Sequence, residues 1–461
     1  MTDDKQAGPN SPQDSQPDYL SRFAERTAGS QKLYGEAREV TPGGISHFPR
    51  YHAPHPTYVA KARGSRIWDV DGNESIDLWM AHYDAILGHS PAPVVEALQA
   101  ILGDGLHVGM PMEHEVRLAK QVLDLMPSAE QVRFCCSGSE ADMYAVRLAR
   151  AFTGRQRVLK MQGGFHGANT DLSVDVFPPD FGGAEGRGLL PQVEQFTRST
   201  PFNDIEGTAK SIREAGDDLA AVILEPVLGA AGFLPAEQEY LDFLREETRK
   251  VGALLIFDEV ITGFRVAPGG AQEHFGISPD LTTMGKVMGG GLPIGAIAGR
   301  ADVLEISSVL RQAPRNEQIF IGGGTYSCNP LSMVAGSVTL DILKAGRDEI
   351  YPTLESRNRR FCAGVQQAFD AVDIPIHITH IASLMAVHFL KERGLSMRNV
   401  AEVAKHSVPG KQNELADRLR NHGVFMLHSA ALSLAHSEED IDTLIGAVQA
   451  CAQEMAEAQG G

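Results

Sequence analysis

Two residues in the middle of the chain carry the strongest chemical signal. Asp258 closes the very apolar run Ala253-Leu-Leu-Ile-Phe257. A carboxylate in that position is costly unless a cation meets it. A protonated pyridine nitrogen would meet it, and so would a magnesium ion. Lys286 lies downstream in Thr282–Gly295, among apolar residues and the glycines Gly289, Gly290 and Gly291. Desolvation there lowers an amine's pKa and makes it nucleophilic, and the glycines permit close backbone approach. Further upstream, Ser137-Gly-Ser-Glu140 sets a glycine and two hydroxyls at a predicted helix start. Such a turn holds phosphate through backbone N–H groups and the helix dipole, although the same residues also serve an ordinary N-cap. Read together, these are the contacts of pyridoxal 5′-phosphate (PLP). An amine forms a Schiff base with its aldehyde, and a carboxylate holds its ring nitrogen. The magnesium reading makes the chain a P-loop-type ATPase. That requires G-x-x-x-x-G-K-[ST], which the sequence lacks.

These residues need a scaffold that brings strand ends together. From about 80 to 330 the pattern is strand, loop, helix, repeated. Val132–Cys136, Ala220–Leu224 and Ala253–Phe257 read as buried parallel strands. Between the first two, Ala141, Ala145, Leu148 and Phe152 share one face of a helix that Gly154 ends. The alternation predicts an α/β fold with a right-handed, mostly parallel central sheet, and ligands in such sheets sit at the strands' carboxyl ends. Ser137–Glu140, Glu225-Pro226 and Asp258-Glu259 fall there. The expected organisation is a disordered tail and start of the first helix over 1–28, an N-terminal segment over 29–80, a large cofactor-binding domain over 81–330 and a small α+β domain over 331–461. The first helix is expected from near Arg22 to near Tyr34, with Gly35 close to its end. Two strands are expected around Asp71-Gly72. Ser437 and Asp440 are expected to cap the last helix.

The bulk properties agree with a globular enzyme of two packed domains in 461 residues. A net charge of −18 argues against nucleic-acid or anionic-membrane partners. An odd set of five irregularly spaced cysteines suggests neither a disulfide framework nor a metal site. No signal peptide or membrane-length apolar run is visible, so the cytoplasm is the expected location.

The order of motifs is more specific than any one of them. Asp258-Glu-Val-Ile-Thr-Gly-Phe-Arg265, followed by Met284-Gly-Lys-Val-Met-Gly-Gly-Gly-Leu-Pro293, resembles the class III aminotransferases. Within that class it is most similar to glutamate-1-semialdehyde aminomutase and its aminotransferase relatives. The resemblance runs from about Thr41 to Asp440 and implies the type I PLP fold. It implies that Gly138 and Ser139 bind the phosphate and that Phe165 stacks on the pyridine ring, with His166 in the same motif. It places Val260 on the other cofactor face. Thr325, in Gly322-Gly-Gly-Thr-Tyr-Ser327, is implied to reach the phosphate of a neighbouring subunit, hence a homodimer with shared active sites. Arg50, in Gly43–Arg50, is implied to grip a substrate carboxylate, where its fork is bidentate.

Two departures bear on the reaction. The aminomutase pattern has a Phe-Glu pair shortly before Ser-Leu-Ala-His, whereas this chain reads Met426-Leu-His-Ser-Ala-Ala-Leu-Ser-Leu-Ala-His436. The aminomutase gating loop corresponds to the differently composed, glycine-rich stretch 176–188, expected to be a mobile lid. The reading is therefore an intermolecular aminotransferase, with the aminomutase as alternative and a racemase or epimerase third. Glu225, Arg265, Tyr326 and His428 are further pocket candidates without assigned roles.

Overall fold

In the computed structural model of the chain, residues 17–177, 181 and 183–460 are described. Residues 1–16 of the expected tail lie outside them, as do residues 178–180 and 182 of the expected lid.

A seven-stranded sheet forms the centre. Its strands, in chain order, are β1 (Gln131–Cys135), β2 (Arg157–Met161), β3 (Thr197–Thr200), β4 (Leu219–Leu224), β5 (Leu254–Glu259), β6 (Leu281–Met284) and β7 (Gly295–Gly299). Their spatial order is β1-β7-β6-β5-β4-β2-β3. The pairs β6-β5, β5-β4, β4-β2 and β2-β3 are parallel. Strand β7 is antiparallel to both its neighbours. Val132–Cys136 is thus a strand, but its ladder partner is antiparallel, which corrects the expectation of parallel pairing. The cause is the connection 285–294, too short for the dozen-residue crossover that parallel pairing needs. Strands β4 and β5 are buried throughout, which is why they read as unbroken apolar runs.

The helix Gly138–Thr153 follows β1. Ser137 caps its start by accepting the Glu140 N–H, and Gly154, left-handed at φ 70°, ends it. Its buried face of Ala141, Ala145, Leu148 and Ala149 packs with Ile223, Ile256 and Ile297 of the sheet.

A second core gathers the C-terminal elements. Phe361, Val365 and Phe369 meet Leu444, Val448 and Met455, and Ile76 and Leu78 join them from far upstream. The strand Val424–Phe425 pairs in parallel with Glu74–Asp77, so the N-terminal segment is stitched into this body. The hairpin Ile376–Ile381 with Leu384–Phe389 supplies strands to this body, as the small α+β domain expected there requires. At the last helix, Ser437 Oγ accepts the Asp440 N–H at 3.1 Å and Asp440 Oδ2 accepts the Ser437 N–H at 3.0 Å, the reciprocal cap its sequence calls for.

Two local expectations are corrected. The first helix is two helices, Asp18–Arg26 and Ala28–Val40, and Gly35 lies inside the second. The break falls at Thr27, whose hydroxyl turns back to the Phe23 carbonyl at 2.7 Å, a local bond that competes with helix. The second helix is then capped from outside by the Asp71 carboxylate, which accepts from Gly29 and Ser30. The stretch 58–78 forms three strands rather than two, Val59–Arg63, Arg66–Asp69 and Glu74–Asp77, because Gly64, at φ 58°, makes a second reversal.

Candidate active site

The site assembles at the carboxyl ends of the sheet strands. Asp258, at the end of β5, is 4% exposed. Its Oδ2 lies 2.8 Å from His166 Nδ1, and its Oδ1 accepts the Val260 N–H at 3.0 Å. Burial pushes the His166 pKa down, so the imidazole is neutral and its Nδ1–H donates to the carboxylate. Lys286 follows β6, one strand away. Desolvation lowers its pKa, while the carboxylates of Asp258, Glu225, Asp84 and Asp142 act the other way. Its backbone is left-handed, at φ 42°, an unusual conformation for a residue with a side chain.

The turn at the helix start approaches the same point. A Cβ on Gly138 would sit 2.7 Å from Val260 Cγ2, so only glycine lets the turn pass over that valine. The N–H groups of Gly138 and Ser139 belong to the first turn and have no intrahelical acceptor. Ser139 Oγ accepts the Ala168 N–H at 3.1 Å. Gly167, at φ 76°, packs so closely that a Cβ there would be 2.0 Å from Ser139 Oγ. The Gly163–Gly167 loop is thereby locked to the turn.

Glu225, beyond β4, fixes the loop from its other side. It is 4% exposed, and its Oε1 accepts the Phe165 N–H at 2.8 Å. Burial and then the Asp258 charge push its pKa up to about 8. Phe165 itself is 45% exposed, leaving its ring free at the site. Lys160, on β2 and fully buried, donates to the Gly164 carbonyl at 2.8 Å. Nothing in its sequence setting distinguished it from a strand lysine.

On the opposite wall, Met80, Ala81, His82 and Tyr83 all have positive φ. Arg265, fully buried, pins this strained turn by donating to the Tyr83 carbonyl at 2.9 Å and to Ser383 Oγ at 3.0 Å. Its role is to hold the wall. The turn stacks His82 on Trp79, with ring centroids 4.4 Å apart, and sets it 5.4 Å from His47. His428 meets the same Trp79 at 5.2 Å. Burial lowers the pKa of His82 to about 3, and Lys286, His47, His428 and Arg50 add to the effect. Arg50 is solvent-exposed, and its charge reaches both His47 and His82. Asp84, half-buried, has its carboxyl pushed up to about 6 by desolvation.

Thr325 and Tyr326 lie elsewhere. Both are exposed, on a segment that crosses the start of the helix Gly138–Thr153, where Gly324 approaches Cys136 and Glu140. Among the described residues no hydrogen bond joins Thr325 to the Lys286 cluster.

The residues present fit PLP. A buried carboxylate with a donor already on each oxygen suits a pyridinium, a desolvated amine one strand away suits an aldehyde, and a helix start relieved of side-chain bulk suits a phosphate. The fold and the site together define a PLP-dependent enzyme of type I fold. Residues 48–450 match the family model of the class-III aminotransferases, and the chain belongs to that family. It is 39% identical over 435 residues to the glutamate-1-semialdehyde 2,1-aminomutase of Aquifex aeolicus, covering 92% of this chain and all of that one. An omega-transaminase from Sphaerobacter thermophilus superposes with a TM-score of 0.84 at 33% identity, over 92% of this chain and 97% of that one. A transaminase solved with PLP bound gives 0.84 at 31% identity, over 94% and 99%. Aminotransferase and aminomutase chemistry are both consistent with these similarities. Among the described residues no helix is long and apolar enough to cross a membrane.

Proposed function

We propose that the chain is an intermolecular aminotransferase, moving an amino group between an amino-acid-like donor and a keto acid or aldehyde. The observation that carries this reading is the lining of the wall beside Arg50, made of His47, His82 and His428 around Trp79. Burial lowers the pKa of all three imidazoles. Intramolecular transfer must retain a species with nitrogen on two adjacent carbons. A carboxylate suits that second nitrogen, and His428 occupies the stretch where the aminomutase pattern carries its glutamate. The aminomutase remains the second reading because the Aquifex relative, so named, aligns over nearly the whole chain.

When bound, PLP supplies an aldehyde that takes the substrate amine and a ring that accepts electrons from the Cα–H bond. The assigned work of the protein is then as follows. Lys286 holds the cofactor at rest and afterwards moves the proton between Cα and C4′ as general acid–base. Asp258 keeps a proton on the ring nitrogen. Gly138 and Ser139 bind phosphate, Phe165 and Val260 cover the two ring faces, and Arg50 orients a substrate carboxylate. His166 acts through Asp258.

The assembly in this reading is a cytoplasmic homodimer in which Thr325 completes the neighbouring phosphate site. Support comes from exposed apolar residues on two adjoining segments, Leu102, Leu106, Val108 and Met110 on one and Leu310 and Phe320 on the other. His107 and Tyr326, 5.1 Å apart, join them. Such a patch marks a contact surface.

The deciding experiment is a half-reaction. The PLP form is mixed with single amino donors, without acceptor, while cofactor absorbance and released carbonyl product are followed. Conversion to pyridoxamine phosphate with stoichiometric product establishes the aminotransferase. Isomerisation of an amino-aldehyde without release of product overturns it in favour of the aminomutase.

A further inference from the structure

Asp142 has no part in the contacts assigned above, yet it is 1% exposed. It projects from the helix Gly138–Thr153 towards the end of β5. Its Oδ1 accepts the hydroxyl hydrogen of Thr283 at 2.6 Å, and Thr283 is the register partner of Asp258 on the adjacent strand. Asp142, His166 and Asp258 each bring a nitrogen or carboxylate oxygen within 4.8 Å of the others.

Two carboxyls this close in a buried site do not both ionise. The charged and titratable groups around Asp142 come from every neighbouring element. Asp258 faces it from β5, Glu225 from beyond β4, His166 from the loop after β2 and Lys286 from beyond β6. No cation among them is dedicated to Asp142. His166 is neutral and already aims its Nδ1–H at Asp258. The Lys286 amine is shared with Asp258, Glu225 and Asp84, all of which act on it more strongly than Asp142 does.

We propose that Asp142 and Asp258 hold one proton between them, that Asp142 carries it and donates it to Asp258, and that Asp142 is thereby a positioning residue for the carboxylate facing the ring nitrogen. The inference rests on the reading that Asp258 holds that nitrogen. A neutral Asp142 satisfies its surroundings. One oxygen accepts from Thr283, and the hydroxyl of the other donates to Asp258. Burial, followed by the Asp258 charge, pushes its carboxyl well up, while Thr283 pulls the other way. With His166 and Asp142 both donating, Asp258 is a weaker base. The proton of the ion pair therefore stays on the ring nitrogen, where electron withdrawal needs it.

Infrared difference spectra of wild type minus D142N, taken at neutral pH on both apoenzyme and holoenzyme, test the proton directly. A protonated-carboxyl carbonyl band lost in the variant is expected, and its absence overturns the proposal. The variants give a second test. Asparagine copies the shape and donor of a neutral carboxyl, so D142N is expected to bind PLP within about threefold of wild type. It should also keep the pH profile of the bound cofactor's absorbance. D142A is expected to bind about tenfold more weakly and to shift that profile, with D142S compared if alanine fails to fold. Equal damage by asparagine and alanine means an ionised Asp142 and overturns the proposal, as does no effect of either. D258N with an unchanged absorbance profile overturns the Asp258 reading and with it the positioning role, while the apoenzyme band still reports the shared proton.

Discussion

His166 Nδ1 and Asp258 Oδ2 are 2.8 Å apart in a site closed to solvent on both sides. In the proposed reading the histidine acts on the cofactor only through Asp258, and among the described residues its Nε2 has no hydrogen-bond partner. Its value lies in fixing one oxygen of the carboxylate. A buried hydrogen bond to a charged group contributes about 1.5–3 kcal/mol. His166→Ala should therefore lower kcat by about 10- to 100-fold and alter the absorbance profile of the bound cofactor. His166→Asn, which keeps a donor, should recover part of both. Unchanged kcat and spectrum in the alanine variant would remove His166 from the site.

Lys286 is the simplest case. Lys286→Ala should abolish the borohydride-reducible bond between protein and cofactor and lower turnover by at least about 10³-fold, since general acid–base catalysis is lost as well. Persistence of the reducible bond would assign the cofactor to another lysine, with Lys160, whose pKa burial lowers to about 8, the first to examine.

In the proposed reading Arg50 serves substrate binding rather than the chemistry. Arg50→Ala should raise KM for carboxylate-bearing donors by about 10- to 100-fold, the worth of a charge-assisted bidentate contact, with a much smaller change in kcat. Amines without a carboxylate should be unaffected. Equal losses on both substrate types would move the carboxylate site elsewhere.

The chemistry of this site was more legible in the sequence than its walls. Asp258 and Lys286 stand out because strand ends and glycine-rich loops are where polar residues survive beside apolar runs. Ser137–Glu140 likewise reads as a helix start whether or not a phosphate binds. Arg265 and His82 were not legible in the same way. Arg265 reads as part of a motif, but its partners Tyr83 and Ser383 are far away in the chain. The left-handed run Met80–Tyr83 contains no glycine to announce it. Asp142 sits mid-helix, where an acidic residue ordinarily faces water. The antiparallel pairing of Val132–Cys136 was missed because an apolar run reads alike in parallel and antiparallel ladders, and its partner β7 was not read from the sequence.

Glu225 links the site to pH. Its folded pKa, about 8, lies above the ordinary carboxyl value of 4.5. The folded protein therefore binds more protons than the unfolded chain between those limits, and this group's contribution to stability falls as pH rises through that window. Glu225→Gln keeps the acceptor for the Phe165 N–H and removes the titration. The Tm of the variant apoenzyme should decline less between pH 5 and 8 than that of wild type. A parallel decline would mean that Glu225 is ionised throughout.

His388 gives the opposite slope, at a distance from the chemistry. It is 5% exposed on the strand Leu384–Phe389, and its Nε2 lies 3.0 Å from Thr379 Oγ1 on the paired strand. Desolvation, with His377 adding to it, holds its pKa at about 4 against 6.5 for a free histidine. Between those values the unfolded chain takes up the proton and the folded protein does not. Stability from this group is complete above pH 6.5 and is lost on acidification towards pH 4, by up to about 3 kcal/mol. Glutamine at this position keeps a hydrogen-bonding group of similar reach without a titration. Denaturant unfolding of the apoenzyme across pH 4.5–7 should show wild type losing stability on the acid side and His388→Gln losing less. The difference between them should vanish above pH 7 apart from a constant packing offset. Curves that stay parallel over the whole range would mean that His388 is protonated in the folded state, and the acid sensitivity would then belong to the other desolvated imidazoles, His82 foremost.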